Sequence, residues 1–139
     1  MTAKAGYSTP MLTVADVERS IAFYELLGFE LVDDDGAPGC PIGWARMHCD
    51  GGALMFLRAE EPVDTSSEVT LFYLYTSDLP ALREHLLANG VAVSPISFPG
   101  YMPSGEIQLQ DPDGYRLLIA HWAKPQQEDW EKHLEERRR

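Results

Sequence analysis

The clearest candidate acids and bases of this chain are Glu106, in the alternating run GEIQLQ, and His48, in WARMHCD. Successive side chains of a strand point to opposite faces, so Ile107 and Leu109 should face a core while Glu106 and Gln108 occupy the other surface. A carboxylate enclosed there without a partner is costly. It can pair with a cationic ligand or serve as a general base. His48 is the second candidate, although a lone strand histidine is more often a hydrogen-bonded structural residue. His85 lies in a helical run and His133 in the tail, where solvation is the default. His121 has odd parity relative to Leu118 in the last strand, which turns it away from the face Leu118 takes. Cys40 and Cys49 show neither CxxC nor metal-finger spacing and read as reduced thiols.

The elements that must position these groups come in two copies. Asp16 precedes the helical run VERSIAFYELL, which stops at Gly28; Asp78 precedes LPALREHLLAN, which stops at Gly90. Each aspartate can accept from free N–H groups of the first helical turn, and each glycine can take the left-handed conformation that ends a helix. Val17, Ile21, Tyr24 and Leu27 share one helical face, as do Leu79, Leu82, Leu86 and Leu87. The 62-residue offset of the two caps also carries the turn Asp50-Gly51-Gly52 onto Pro112-Asp113-Gly114. Strand-like runs flank the helices: PMLTVA, FELVDD, IGWARMHC and ALMFLRAE in the first half; TLFYLYTS, VAVSPISF, GEIQLQ and YRLLIAHW in the second. The pattern is α+β, two βαβββ modules at residues 1–66 and 67–124, followed by a C-terminal helical tail at 125–139. A sheet with a helix on one side and a polar yet enclosed face on the other curves around a cavity.

Composition bounds the partners. The 139 residues carry a formal charge of −11, with 45% hydrophobic and 24% charged residues. Residues 1–124 hold 17 acids against 7 bases, so the acidity belongs to the folded body. Such a surface repels a phosphate backbone, which excludes nucleic acid as a partner. No apolar run reaches the ~18–20 residues that span a bilayer, and the start MTAKAGYSTP has no apolar core like a signal peptide's, so a cytoplasmic protein without membrane partners is expected.

This module order, with D-x-x-x-S-x-x-F-Y and L-G-F at Asp16–Phe29 and D-P-D-G-Y at Asp111–Tyr115, resembles the vicinal oxygen chelate superfamily. That superfamily includes glyoxalase I, extradiol dioxygenases, fosfomycin-resistance enzymes and bleomycin-resistance proteins. The resemblance covers roughly residues 8–122 and implies the glyoxalase/bleomycin-resistance/dioxygenase fold, a curved mixed β-sheet cavity. In the metal enzymes of the family, His and Glu side chains from facing strands bind a divalent ion in that cavity. Placed by their distances from the two caps and the D-P-D-G turn, those ligand positions fall here on Thr9, Phe56, Phe72 and Leu118. None is His, Cys, Asp or Glu, and phenyl or isobutyl groups offer no lone pair. The resemblance therefore implies no family-type metal and no cofactor, as in the bleomycin-resistance branch, where the cavity is a binding groove for a bulky cationic drug.

Strand parity counted from those positions places Thr9, Met11, Phe56, Phe72, Leu74, Glu106, Gln108 and Leu118 on the cavity face. Trp44, Tyr101 and Trp122 lie at strand ends or in the loop SFPGYMPSG, where aromatic rings can rim a groove. The expected function is a metal-free small-molecule-binding protein that sequesters a cationic or aromatic compound, with the acidic body steering cations. The alternative is a lyase, isomerase or dioxygenase of the same superfamily using Glu106, His48 or an atypical metal site. By resemblance, a homodimer is expected.

Overall fold

The computed structural model describes residues 3–139, which cluster into two compact units. The first comprises the chain up to Ser67 together with Asp111–Gly114; the second comprises Glu68–Gln110 and Tyr115–Arg139.

In the first unit the order is β1 (Met11–Val14), α1 (Val17–Leu26), β2 (Glu30–Asp34), β3 (Trp44–Cys49) and β4 (Gly52–Arg58). The sheet runs β1-β4-β3-β2, with β1 parallel to β4 and the other neighbours antiparallel. Asp16 caps α1, its Oδ1 accepting from the Arg19 amide at 3.1 Å. Gly28 ends the helix turn at φ 91°, a conformation costly for any residue with a Cβ. Leu12, Val14, Ala45, Met47, Leu54 and Phe56 all point to the α1 side and are buried. Tyr24 is the centre of this core, its ring 5.2 Å from Phe56, 5.7 Å from Phe29 and 5.1 Å from Phe23.

The D-P-D-G segment fastens to α1 in the same unit. The buried Tyr24 hydroxyl donates to Asp111 Oδ2 at 2.9 Å, while Asp113 Oδ1 accepts from the Ala15 amide at 3.0 Å and from Arg19 Nη2 at 3.2 Å. Thr65 Oγ1 donates to the Asp113 carbonyl at 2.8 Å, and Gly114 turns the chain at φ 92°. A Cβ at Gly114 would lie 2.5 Å from Thr65 Oγ1, so this glycine is required by both space and backbone.

The second unit contains β5 (Leu71–Thr76), α2 (Leu79–Ala88), β6 (Glu106–Gln110), β7 (Arg116–His121) and α3 (Lys124–Arg137). Its sheet runs β5-β7-β6, parallel between β5 and β7 and antiparallel between β7 and β6. Asp78 caps α2 through the Ala81 amide at 3.1 Å, and Gly90 follows at φ 79°. Leu79 and Leu86 are buried, Leu82 is half-buried and Leu87 is exposed, so the apolar stripe is narrower than the spacing predicts. Ile107, Leu109, Leu117 and Ile119 complete this core.

The architecture is α+β, two mixed sheets each backed by a helix. One element departs from expectation. The run VAVSPISF forms no strand; its backbone pairs with β6 in isolated bridges, Val93 to Leu109 and Ser97 to Glu106, and Ser94 Oγ accepts from the Gln108 amide at 2.8 Å. Pro95 lies between the bridges and has no N–H for the ladder, which confines pairing to its two sides.

Candidate functional site

Cross-strand register defines which side chains share a face. In the second unit Tyr73 pairs with Leu118 and Leu118 with Gln108; Tyr75 pairs with Ala120 and Ala120 with Glu106. These residues form the face opposite the helix. The other face holds Phe72, Leu74, Leu117, Ile119, Ile107, Leu109 and His121; His121 Nδ1 accepts from the Leu79 amide at 3.3 Å, at the start of α2. Phe72 and Leu74 therefore lie on the helix side, one residue out of register with the expected cavity face. Tyr73 and Tyr75 take the places assigned to them. Phe56 is likewise corrected: it is 0% exposed against Tyr24, and Met55 and Leu57 occupy the opposite face of β4.

Glu106, Gln108 and Leu118 lie on the face opposite α2, with Gln108 exposed and Leu118 half-buried. Glu106 is 2% exposed and both carboxylate oxygens are engaged. Tyr73 Oη donates to Oε2 at 2.7 Å and Tyr101 Oη donates to Oε1 at 2.5 Å. An ionised carboxylate is an acceptor only, so two phenolic donors satisfy it without a counter-cation. Burial first, and then the bond to the carboxylate, push the Tyr73 hydroxyl above the ordinary tyrosine range; the bond to Glu106 pushes Tyr101 in the same direction. Each carboxylate oxygen of Glu106 thus accepts from one tyrosine hydroxyl.

Tyr101 links this carboxylate to a groove. Its ring joins Tyr75, Met102, Trp122, Gln127 and Trp130 in lining a volume of ≈680 Å³, within the roughly 300–1,000 Å³ range of small-molecule sites. An adjoining recess of ≈310 Å³ shares Tyr101, Met102, Trp122 and Trp130 and adds Asp129 and His133. The aromatic rings form a chain, with centroid distances of 5.3 Å from Tyr73 to Tyr75, 5.5 Å from Tyr75 to Trp122 and 6.5 Å from Trp122 to Trp130. Tyr75 and Tyr101 remain 59% and 68% exposed, so their faces are open to a ligand. Helix α3 supplies the remaining wall. Gln127 Oε1 accepts from Trp122 Nε1 at 2.7 Å, and Gln126 Nε2 donates to Ser104 Oγ at 3.0 Å, fastening the helix to the loop that bears Tyr101.

Sequence reasoning placed Tyr101 and Trp122 near a groove but missed Tyr73, Tyr75, Met102, Gln127 and Trp130. Trp130 and Gln127 belong to a run whose polar composition marks a solvated helix; only the isolated Trp130 in that run signals a contact.

The other expected residues lie on the open face of the first sheet. Met11, Trp44 and His48 are on the side away from α1, and Thr9 precedes β1. His48 Nε2 accepts from Arg46 Nε at 2.8 Å, and Thr9 Oγ1 accepts from Arg46 Nη2 at 3.2 Å. Arginine cannot accept, so Nε2 of His48 is the acceptor of this bond.

These residues do not fit a family-type divalent ion. Thr9 already faces a guanidinium, Phe56 and Phe72 lie on the helix side of their sheets, Leu118 carries no donor atom, and the Tyr73 hydroxyl that takes Phe72's place donates to Glu106. Among the described residues no three His, Cys, Asp or Glu side chains converge on a common point.

Known proteins agree on the fold. A bleomycin resistance determinant encoded on the transposon Tn5 superposes with TM-score 0.67 at 23% identity, covering 84% of this chain and 98% of that one. A bleomycin-binding protein complexed with bleomycin gives TM-score 0.66 at 22% identity, over 85% and 99% of the two chains. TnmS3, an antibiotic-binding protein from Streptomyces sp. CB03234, gives 0.64 at 22%, over 87% and 98%. No curated protein matches the chain in sequence. With the family model matching residues 6–119, the chain belongs to the Glyoxalase/Bleomycin resistance protein/Dioxygenase superfamily.

Proposed function

We propose that this protein binds a small cationic aromatic molecule in the groove of the second unit, without a metal ion and without transforming it. The observation that carries the reading is the aromatic wall of Tyr75, Tyr101, Trp122 and Trp130 backed by the buried carboxylate of Glu106. Aromatic faces attract cations through their quadrupole, and a hydroxyl donating to a carboxylate makes its ring a better partner. Asp129 adds negative charge to the adjoining recess. The similar structures named for bleomycin and antibiotic binding support a sequestering role over catalysis. A cytoplasmic setting is part of the proposal, in keeping with two free cysteines. A homodimer is part of the proposal and is checked by sedimentation.

Calorimetric titration with bleomycin and a panel of cationic aromatic compounds tests the reading. At least one should bind with 1:1 stoichiometry per groove, and Trp122→Ala should weaken it by about tenfold, the loss of roughly 1–2 kcal/mol of ring contact. No binding across the panel would contradict it. Metal analysis of protein purified without chelators separates it from the enzymatic alternative: a stoichiometric divalent ion would favour a lyase, isomerase or dioxygenase.

A further inference from the structure

We propose that the open face of the first sheet holds a second binding site, centred on Arg46, for a carboxylate carried on an aromatic or other apolar group. Arg46 is half-buried, and its contacts are neutral. Nε donates to His48 at 2.8 Å, Nη2 donates to Thr9 Oγ1 at 3.2 Å, Nη1 lies 3.9 Å from Met55 Sδ, and the guanidinium carbon sits 5.6 Å from the centroid of the Tyr7 ring. None of these groups carries a negative charge. The nearest acids along the sheet are Asp33, cross-strand from Arg46, and Glu30, cross-strand from His48. Asp33 Oδ1 instead accepts from the Asp34 amide at 2.9 Å. The ion pairs of the described residues are Arg19–Asp113, Lys124–Glu128 and Arg139–Glu135, so neither acid comes within 4.0 Å of the guanidinium nitrogens.

Five N–H groups radiate from a guanidinium, and three are committed here, one of them only to sulfur. One N–H on each terminal nitrogen remains, and the two oxygens of a carboxylate can accept from both. Thr9 and His48 hold that fork in place before a ligand arrives, which reduces the ordering cost of binding. The surroundings choose among anions. Met55 pairs with Arg46 in the sheet register and Met11 lies beyond Met55 on β1, so thioether chains line one side of the cation and the Tyr7 ring lies over it. An apolar face beside the fork suits an organic carboxylate and disfavours strongly hydrated inorganic phosphate. Every residue this inference uses belongs to the first unit.

Calorimetry with 2-naphthoate, its neutral amide and inorganic phosphate tests the site. Naphthoate should bind the wild-type protein at least about tenfold more tightly than the amide or phosphate. Arg46→Gln should abolish that preference, and Arg46→Lys, which keeps the charge but loses the fork, should leave an intermediate value. Equal binding of acid and amide, unchanged binding in Arg46→Gln, or phosphate binding as tight as naphthoate would each overturn the proposal. The acid-against-amide comparison on the wild-type protein decides the matter even if a variant fails to fold.

Discussion

Two phenolic hydroxyls on one buried carboxylate make Glu106 the residue on which the groove depends. Tyr73→Phe strips one donor from a 2% exposed charge and should cost about 1–3 kcal/mol in denaturant unfolding. Glu106→Gln keeps the size and an acceptor oxygen, so it should fold while losing the charge. The pH dependence follows from the raised tyrosines. Their folded values lie above 10.0, so the neutral hydroxyl is the stabilising form; its contribution is complete below about pH 10 and is lost as pH climbs toward the folded values. Tyrosinate absorbance should show Tyr73 ionising later than a free tyrosine, and normal titration of every tyrosine would contradict the bond to Glu106. Glu106 and Gln108 were legible because GEIQLQ alternates. Tyr73 and Tyr75 were not, because LFYLYT is apolar on both faces and carries no parity signal; Phe56 follows from motif distances alone, and ALMFLR, equally apolar on both faces, offers no parity to correct it. Only packing against Tyr24 decides that residue, and Phe56→Ala should cost about 3–5 kcal/mol.

At the scale of elements, short polar motifs fix the helices. Asp16→Ala and Asp78→Ala should each cost about 1 kcal/mol, the value of a cap. Asp113→Ala should cost more, about 1–3 kcal/mol, because it frees the Ala15 amide and Arg19 together; equal losses for Asp113 and Asp78 in thermal melts would argue against the fastening role. Asp35 holds the loop before β3 through the Gly43 and Trp44 amides, at 2.8 and 3.0 Å. Those bonds lower its carboxyl below 3.8, so the contribution is present at neutral pH and fades as pH falls through the lowered value. The caps and turns were legible because Asp, Gly and Pro act locally. The strand lost at residues 91–98 was hidden by its apolar alternation, which Pro95 overrides. Helix α3 was legible as a helix but not as a wall, since its attachment runs through Trp122 to Gln127 and Ser104 to Gln126, pairs that no periodicity reveals.

For the whole molecule, the 62-residue offset relates two sequence modules that repeat a cap, a helix and a turn but not a chemistry. The second carries the aromatic groove, the first the uncompensated Arg46. The formal charge of −11 draws cations and repels anions at long range. Association of a cationic ligand should therefore slow as salt rises from about 0.01 M to 0.15 M, where the screening length falls from about 30 to 8 Å. Stopped-flow rates that do not change with salt would remove the steering role. The central claim, that a buried carboxylate behind an aromatic groove selects cations, is tested most directly by tryptophan fluorescence titration of wild-type and Glu106→Gln protein with a cationic aromatic compound and its neutral isostere. Saturable quenching that favours the cation in the wild type and loses that preference by about tenfold in Glu106→Gln is the predicted result. Equal affinity of the two compounds for both proteins would contradict it.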